Sequence, residues 1–285
     1  MTNIAIVTDS NSGITQQQAK EMGIYVIPMP FIINEQEYLE DINLTQEEFY
    51  QKLDEKADVS TSQPSMDAMI QTWEEALKEH DAVIYIPMSS GLSGTCSTAM
   101  ALASDYEGKV FVVDNQRISI TQRNSVEDAL NMVKSGKNPI EIQEALMENK
   151  LEASIYIMVD TLKYLKKGGR LTPAVAALGT ILRIKPVLQI QGEKLDTFAK
   201  ARTAKQGISI MLQALKDDVE KRFANNIDSL YIGIAHTNNE KGALELKEEI
   251  LKMYPNKQII INPLSLSVSC HIGPGALAIT MAKIG

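Results

Sequence analysis

The sequence is poor in cysteine, in histidine and in aromatic residues. Its 285 residues include two cysteines and three histidines, and 5% are aromatic. Two cysteines cannot form a disulfide framework, and neither belongs to a set of Cys and His ligands with the spacing of a zinc site. We therefore expect no metal centre, a core built mainly from aliphatic side chains, and buried, unreactive thiols at Cys96 and Cys270.

Long apolar runs and a surplus of positive charge are also missing. No stretch of eighteen or more apolar residues could cross a bilayer, and residues 1–10 lack the basic flank and apolar core of a signal peptide. The net charge of −8 disfavours a nucleic-acid partner, because phosphates are bound by surplus Lys and Arg. We expect a cytoplasmic protein without stable membrane insertion.

Alternating strand and helix patterns in the first half predict a mainly parallel sheet. Polar, helix-forming segments separate the apolar, strand-like runs. The runs are 4–7, 24–33, 82–87 and 109–114. Residues 122–149 then add two helical patterns, broken at 135–139. The pattern indicates an amino-terminal α/β domain over residues 1–150.

Strands are more closely spaced in the second half. Strand patterns occupy 154–160, 186–191, 194–201, 229–236 and 258–267. Gly192-Glu193 separates the second and third of these and predicts a β-hairpin. Helices are expected at 203–223 and 239–253, and a further apolar helix after Gly275. We expect an α+β domain over residues 151–285 with a mixed or antiparallel sheet.

Two hydroxyl-rich loops are the strongest candidates for a binding site. One lies within 82–98, where an apolar strand runs through a Ser/Gly turn into a helix, and the other is 60–65. Hydroxyls and backbone N–H groups at a helix N-terminus favour a phosphate or carboxylate, and loops after parallel strands meet at one sheet edge. An ordinary glycine-rich turn with Ser93 as N-cap is the alternative for the first loop. The hydroxyls of the first loop are Ser89, Ser90, Ser93 and Thr95, and Thr61 of the second loop could converge with Ser93 on one ligand.

Three features of the second half could contact an acidic group. Residues 162–171, called the basic turn below, place four positive charges around a double glycine: Lys163, Lys166, Lys167 and Arg170. Arg202 lies where a strand turns into a helix, from where its guanidinium could reach a carboxylate. His271 precedes the tight turn that begins at Gly273, so the backbone could fix the direction of its hydrogen bond. A solvated helix end, a surface arginine and a capped structural histidine are the alternatives.

A serine hydrolase is a further alternative. The order Ser93, Asp160, His271 resembles that of the α/β-hydrolases, but their Gly-x-Ser-x-Gly turn requires glycine at position 95, where this chain has threonine. The sequence also lacks a Gly-x-x-x-x-Gly-Lys-Ser/Thr motif for ATP. These features favour a binding protein over an enzyme.

Several segments, taken in order, resemble the DegV family of bacterial fatty-acid-binding proteins. They are 7–10, 60–65, 89–95, 162–171, 200–207 and 271–276. The resemblance implies two domains that enclose one long-chain fatty acid, with no cofactor. It also implies the role of binding subunit of fatty acid kinase, which presents the acyl carboxylate to a separate ATP-binding kinase subunit for phospholipid synthesis.

The resemblance also assigns roles to residues. Lys167 and Arg170 fall in the turn that faces the kinase. The implied fatty-acid-binding residues are Thr61, Ser62, Ser93, Gly94, Thr95, Arg202, His271 and Gly273. Residues 115–125 depart from the small, glycine-containing stretch common in the family, so a carrier of another amphipathic acid stays an alternative. We expect Arg117 and Arg123 in this stretch to be solvated.

Overall fold

The structure is a computed structural model that describes residues 2–170, 172–178 and 184–285. The chain forms two compact units. The first contains residues up to Leu151 together with 265–267 and 285, and the second contains 152–264 and 268–284. In the described ranges, no helix is long and apolar enough to cross a membrane.

The first unit contains a parallel sheet and a small antiparallel sheet. Its strands are β1 (Ile4–Asp9), β2 (Tyr25–Ile27), β3 (Pro30–Ile33), β4 (Gln36–Leu39), β5 (Val59–Thr61), β6 (Ala82–Ile86) and β7 (Val110–Val112). Its helices are α1 (Gln16–Met22), α2 (Gln46–Asp54), α3 (Met66–Leu77), α4 (Thr95–Ala103), α5 (Ser119–Lys134) and α6 (Pro139–Glu148). The parallel sheet has the order β2-β1-β6-β7 and the antiparallel sheet the order β4-β3-β5. The predicted α/β class is confirmed.

Helices bury both faces of the parallel sheet. Ile6 and Ile84 pack on one side with residues of α5 and α6, while Val7 and Tyr85 pack on the other with residues of α3 and α4. Because both faces are buried, these strands have no polar alternation and appear as continuous apolar runs. Cys96 lies in the second of these clusters, where burial raises the pKa of its thiol to about 12. Cys96 and Cys270 are both buried, as expected.

The small antiparallel sheet corrects two predictions. The run 24–33 is two strands, β2 in the parallel sheet and β3 in the antiparallel one, where Pro30 takes the first position that a strand tolerates for proline. Residues 60–65 are not wholly a loop, because Thr61 ends β5 and pairs with Phe31.

A single mixed sheet organises the chain after residue 151. Its strands are β8 (Ala153–Met158), β9 (Lys185–Ile190), β10 (Leu195–Ala201), β11 (Leu230–His236), β12 (Ile259–Pro263) and β13 (Leu277–Lys283). The helices are α7 (Lys163–Lys167), α8 (Pro173–Leu178), α9 (Ala204–Lys221), α10 (Glu240–Met253) and α11 (Leu266–Ile272). The order is β10-β9-β8-β13-β11-β12, antiparallel except for the pair β11 and β12. The predicted hairpin of β9 and β10 and the predicted mixed sheet are confirmed.

The long helices α9 and α10 pack on the same face of this sheet. Their buried side chains Met211, Leu215, Leu246 and Ile250 contact a cluster that includes Ile234 and Ile279. The apolar helix predicted after Gly275 is wrong, because Leu277–Lys283 is the strand β13 between β8 and β11. Six consecutive buried residues in β13 remove the alternation that would have distinguished a strand from a buried helix.

The helix α6 offers a matched test of the first core. Ile142 is fully buried, whereas Ile140 in the same helix is 54% exposed. We expect Ile142→Ala to lower the free energy of unfolding by about 2–5 kcal/mol, because it leaves a cavity. Ile140→Ala should change it by less than about 0.5 kcal/mol. Urea unfolding followed by the fluorescence of Trp73 measures both, and equal losses would contradict this packing.

Candidate functional site

The connections after β1 and β6 leave the parallel sheet where its strand order reverses. From the two central strands, β1 connects to β2 at one edge of the sheet and β6 connects to β7 at the opposite edge. In open α/β sheets, ligands bind in the crevice at the carboxyl ends of the strands at this point. Residues 10–12 follow β1 and residues 87–94 follow β6, so both loops lie at the favoured position.

The loop after β6 pairs two hydroxyls at the start of α4. The hydroxyl oxygens of Ser93 and Thr95 are 2.8 Å apart, and the Thr95 N–H donates to Ser93 Oγ at 3.2 Å. The cap position is Gly94, so Ser93 bonds the first turn from the residue before the cap. The N–H groups of Leu92 and Ser93 donate to the carbonyl of buried Ser89, which holds the turn. The result is a hydroxyl pair, with Ser93 half-buried and Thr95 buried, beside the N–H donors of a helix start.

The second hydroxyl loop approaches the same helix. Thr61 is half-buried at the end of β5, and Ser62 is exposed. Ser65 caps α3, accepting from the Ala68 N–H at 3.1 Å. The Gln63 side chain crosses to α4, where its Nε2 donates to Thr98 Oγ1 at 3.2 Å. The structure therefore brings together the two loops that the sequence indicated.

A buried carboxyl group at the end of β1 supports the loop after β6. Asp9 is fully buried and accepts hydrogen bonds from the Met88 N–H at 2.9 Å, the Asn11 N–H at 3.0 Å and Gln122 Nε2 at 3.1 Å. Burial raises the pKa of Asp9 to about 6, although these bonds oppose the rise. Asp9 was not predicted as a functional residue, and its signal in the sequence is a charged residue shortly after the apolar run 4–7.

A second buried acid binds the segment 265–267. Glu40 accepts from Ser10 Oγ at 2.8 Å and from the backbone N–H of Leu266. Burial raises the pKa of Glu40 to about 8, and the charges of Asp41 and Asp9 add to the rise. Next to it, Asn11 Oδ1 accepts from the hydroxyls of Ser265 at 3.0 Å and Ser267 at 2.6 Å, which completes a buried polar network in the first unit.

In the second unit, Arg202 and the turn that contains Gly273 lie at the same end of the mixed sheet. Ala201, the last residue of β10, pairs with Lys185 at the start of β9, and Leu277 at the start of β13 pairs with Met158, the last residue of β8. Arg202 and the turn before β13 therefore lie at the end of the sheet where β8 ends. Arg202 is exposed there. The Asp160 carboxylate, just after β8, binds Lys185 at 2.5 Å.

His271 and Gly273 pack against the basic turn. A Cβ at Gly168 would lie 1.9 Å from His271 Nδ1, and a Cβ at Gly273, whose φ is +76°, would lie 2.3 Å from the Tyr164 ring. Burial lowers the pKa of His271 to about 4, and the charge of Arg170 adds to this shift. The structure thus places the predicted ligand residue His271 beside the turn predicted to face a partner. In that turn Lys167 and Arg170 are exposed, and Arg170 Nη1 donates to the Gly168 carbonyl at 2.6 Å.

These features disfavour the hydrolase alternative. Asp160, the carboxylate of the supposed triad, is engaged by Lys185. The low pKa of His271 makes its imidazole a weak proton acceptor near neutral pH. Ser93 Oγ already bonds the start of α4.

The expectation that Arg117 and Arg123 are solvated is wrong. Arg117 is 3% exposed and donates to Ser125 Oγ at 3.1 Å and to the Asn149 carbonyl at 2.7 Å. Arg123 is half-buried and pairs with Glu127 at 3.0 Å. The buried oxygen acceptors replace water around the Arg117 guanidinium, which a charge count along the sequence does not reveal.

The raised pKa of Glu40 predicts a linkage between pH and stability. The folded protein holds the proton up to about pH 8, while the unfolded chain releases it near the ordinary value of 4.5. The stabilisation that protonated Glu40 gives the folded state is therefore full below pH 4.5 and is lost as the pH rises through about 8. In urea unfolding across this range, the wild type should lose stability relative to Glu40→Gln as the pH rises. The control is Glu37→Gln at an exposed glutamate, for which the plot of unfolding free energy against pH should parallel that of the wild type. If the plot for Glu40→Gln also parallels that of the wild type, the linkage is contradicted.

The chain matches known proteins over nearly its whole length. The family model described as "Uncharacterised protein, DegV family" matches residues 3–283. Protein DegV of Bacillus subtilis is 33% identical over 280 residues, which cover 97% of this chain and 98% of that protein.

Two solved structures share the fold at similar coverage. A DegV family protein from Thermus thermophilus, described by its fatty acid binding, has a TM-score of 0.90 and 29% identity, covering 99% of both chains. DegV from Bacillus subtilis, described as a fatty acid binding protein, has a TM-score of 0.88 and 32% identity, covering 99% of this chain and all of that one. The resemblance drawn from the sequence is confirmed, and the chain belongs to the DegV family.

Proposed function

We propose that this protein binds one long-chain fatty acid and presents its carboxylate to a separate ATP-binding kinase subunit. The observation that carries the proposal is the hydroxyl pair of half-buried Ser93 and buried Thr95 at the switch point of the parallel sheet. Relatives from Thermus thermophilus and Bacillus subtilis, described as fatty acid binding, support the choice of ligand.

Neutral hydroxyls suit a carboxylate that must later react. A carboxylate removed from water is costly unless it accepts hydrogen bonds, and bonds to a charged acceptor are the stronger ones. Ser93, Thr95 and the N–H groups of the first turn of α4 can supply them, helped by the positive end of the helix dipole. Because the donors at the start of α4 are neutral, an oxygen of the carboxylate keeps its nucleophilicity towards a phosphoryl group.

The alkyl tail supplies most of the binding free energy. Each buried methylene contributes about 0.8 kcal/mol, so a chain of about sixteen carbons gains roughly 10 kcal/mol before ordering costs. The hydroxyl pair would then select for an acidic head group, while the tail gives affinity.

The basic turn suits a partner with an acidic surface. Lys163, Lys166, Lys167 and Arg170 are exposed in a chain whose net charge is −8. Complementary charges steer association and fix orientation more than they add affinity. The catalytic role belongs to the partner in this proposal, and the present chain supplies the bound substrate.

The bound lipid provides the first test. We expect the purified protein to carry about one fatty acid per chain, because ligand binding to the folded state stabilises it. Ser93→Ala removes a hydrogen bond to a charged group, worth about 1.5–3 kcal/mol, and should weaken fatty-acid retention about tenfold or more. Mass spectrometry of extracted lipid measures both, and a different amphipathic acid in the extract would identify another cargo.

The matched control is Ser97→Ala, two residues into α4, where the serine is exposed. It should retain the wild-type lipid content. Folded wild-type protein without any acyl chain, or equal retention in Ser93→Ala and Ser97→Ala, would refute the proposed site.

Partner docking is tested separately. Arg170→Ala should leave fatty-acid retention unchanged and reduce acyl-phosphate formation when a kinase subunit and ATP are added, because the complex loses an exposed charge pair. Lys221→Ala removes the same charge at the far end of α9 and should affect neither measurement. Loss of lipid from Arg170→Ala would move Arg170 into the binding site, and unchanged acyl-phosphate formation would show that the basic turn is a solvated helix end.

A further inference from the structure

The Gln63 side chain lies across the start of α4. Its Nε2 donates to Thr98 Oγ1 at 3.2 Å, and its Oε1 is 3.4 Å from the same hydroxyl. Gln63 is exposed, so the bond is not forced by burial. It joins the loop that contains Thr61 and Ser62 to the helix whose first turn contains Thr95.

Gly94 leaves the space that the Gln63 amide occupies. A Cβ at Gly94 would lie 2.9 Å from Gln63 Oε1, closer than Cβ atoms approach other heavy atoms in real structures. The backbone does not require glycine here, because Gly94 has an ordinary φ of −71°. A methyl group at this position would displace the amide, so Gly94 and Gln63 act as a pair.

The two hydroxyl loops follow strands of different sheets. Thr61 ends β5 in the antiparallel sheet, whereas Ser93 follows β6 in the parallel sheet. Packing of α3 on α4, through residues such as Trp73 and Ala99, brings the loops near each other. The bond from Gln63 to Thr98 is a direct polar link between the loop that contains Ser62 and the helix α4 that follows Ser93. Pro64 restricts the backbone of Gln63.

We infer that Gln63 is a positioning residue that fixes the spacing between Thr61 and the Ser93–Thr95 hydroxyl pair, so that both loops can bond one carboxylate. The inference rests on the proposed function, because it presumes that this carboxylate binds there. Gln63 acts through the loops and does not itself select the tail. Its loss therefore affects recognition of the acid group alone.

A comparison of two ligands tests this role. Dissociation constants of the delipidated protein are measured for hexadecanoic acid and for hexadecan-1-ol, which shares the tail but lacks the carboxylate. Gln63→Ala should weaken binding of the acid about fivefold, which is the scale of one lost hydrogen bond, and leave the dissociation constant of the alcohol unchanged. Thr98→Val, which removes the partner hydroxyl, should reproduce this result. Gln71→Ala, an exposed glutamine of α3, should bind both ligands as the wild type does.

Gly94→Ala completes a double-mutant cycle. If the added methyl group acts by displacing the amide, Gly94→Ala weakens binding of the acid as Gln63→Ala does. The double variant then binds the acid no more weakly than either single variant. Additive losses would overturn the inference, because Gly94 would then act independently of Gln63. Equal losses for the acid and the alcohol would also overturn it, by showing a general structural effect.

Ser93→Ala in the same assay separates the inference from the proposed function. If Ser93→Ala weakens binding of the acid and Gln63→Ala does not, only the positioning role of Gln63 is overturned. If Ser93→Ala also binds the acid normally, both are overturned. Weakened acid binding in Ser93→Ala, in Gln63→Ala and in Thr98→Val, with the alcohol unaffected, supports both.

Discussion

The buried carboxyl group of Asp9 organises the first unit around the candidate site. It accepts from backbone and side-chain donors of three segments, through Met88, Asn11 and Gln122. A buried carboxyl group without such donors would be strongly destabilising. The geometry after β1, after β6 and along α5 therefore depends on one group, and the loop that ends in Ser93 and Thr95 starts from a backbone it holds.

The sequence predicted the fold where strand and helix patterns alternate clearly. The parallel sheet, the hairpin of β9 and β10, and the mixed sheet all followed from such patterns. The prediction failed at β13, where burial on both faces leaves an apolar run without a period. It also missed β4, whose residues are exposed or half-buried and mostly polar, and β5, which has only three residues.

The candidate site was predictable where residue type alone suggests the chemistry. Hydroxyls and glycines before a helix indicated Ser93, Gly94 and Thr95, and the structure places them at the start of α4. Asp9 and Glu40 were missed because their partners are distant in sequence: Asp9 bonds a residue 79 positions away, and Glu40 one 226 positions away. Arg117 was misjudged for the same reason, since its acceptor at Asn149 lies in another segment. Such pairings arise only after the chain has folded.

The place of residues 265–267 has a consequence for the order in which the protein can be made. These residues satisfy Asn11 and Glu40 in the first unit, although more than a hundred residues of the second unit precede them in the chain. During synthesis on the ribosome, the first unit emerges long before these partners do. Its buried polar groups must stay hydrated or bond elsewhere until residues 265–267 have emerged, so the first unit reaches its final form only after most of the second unit has been made.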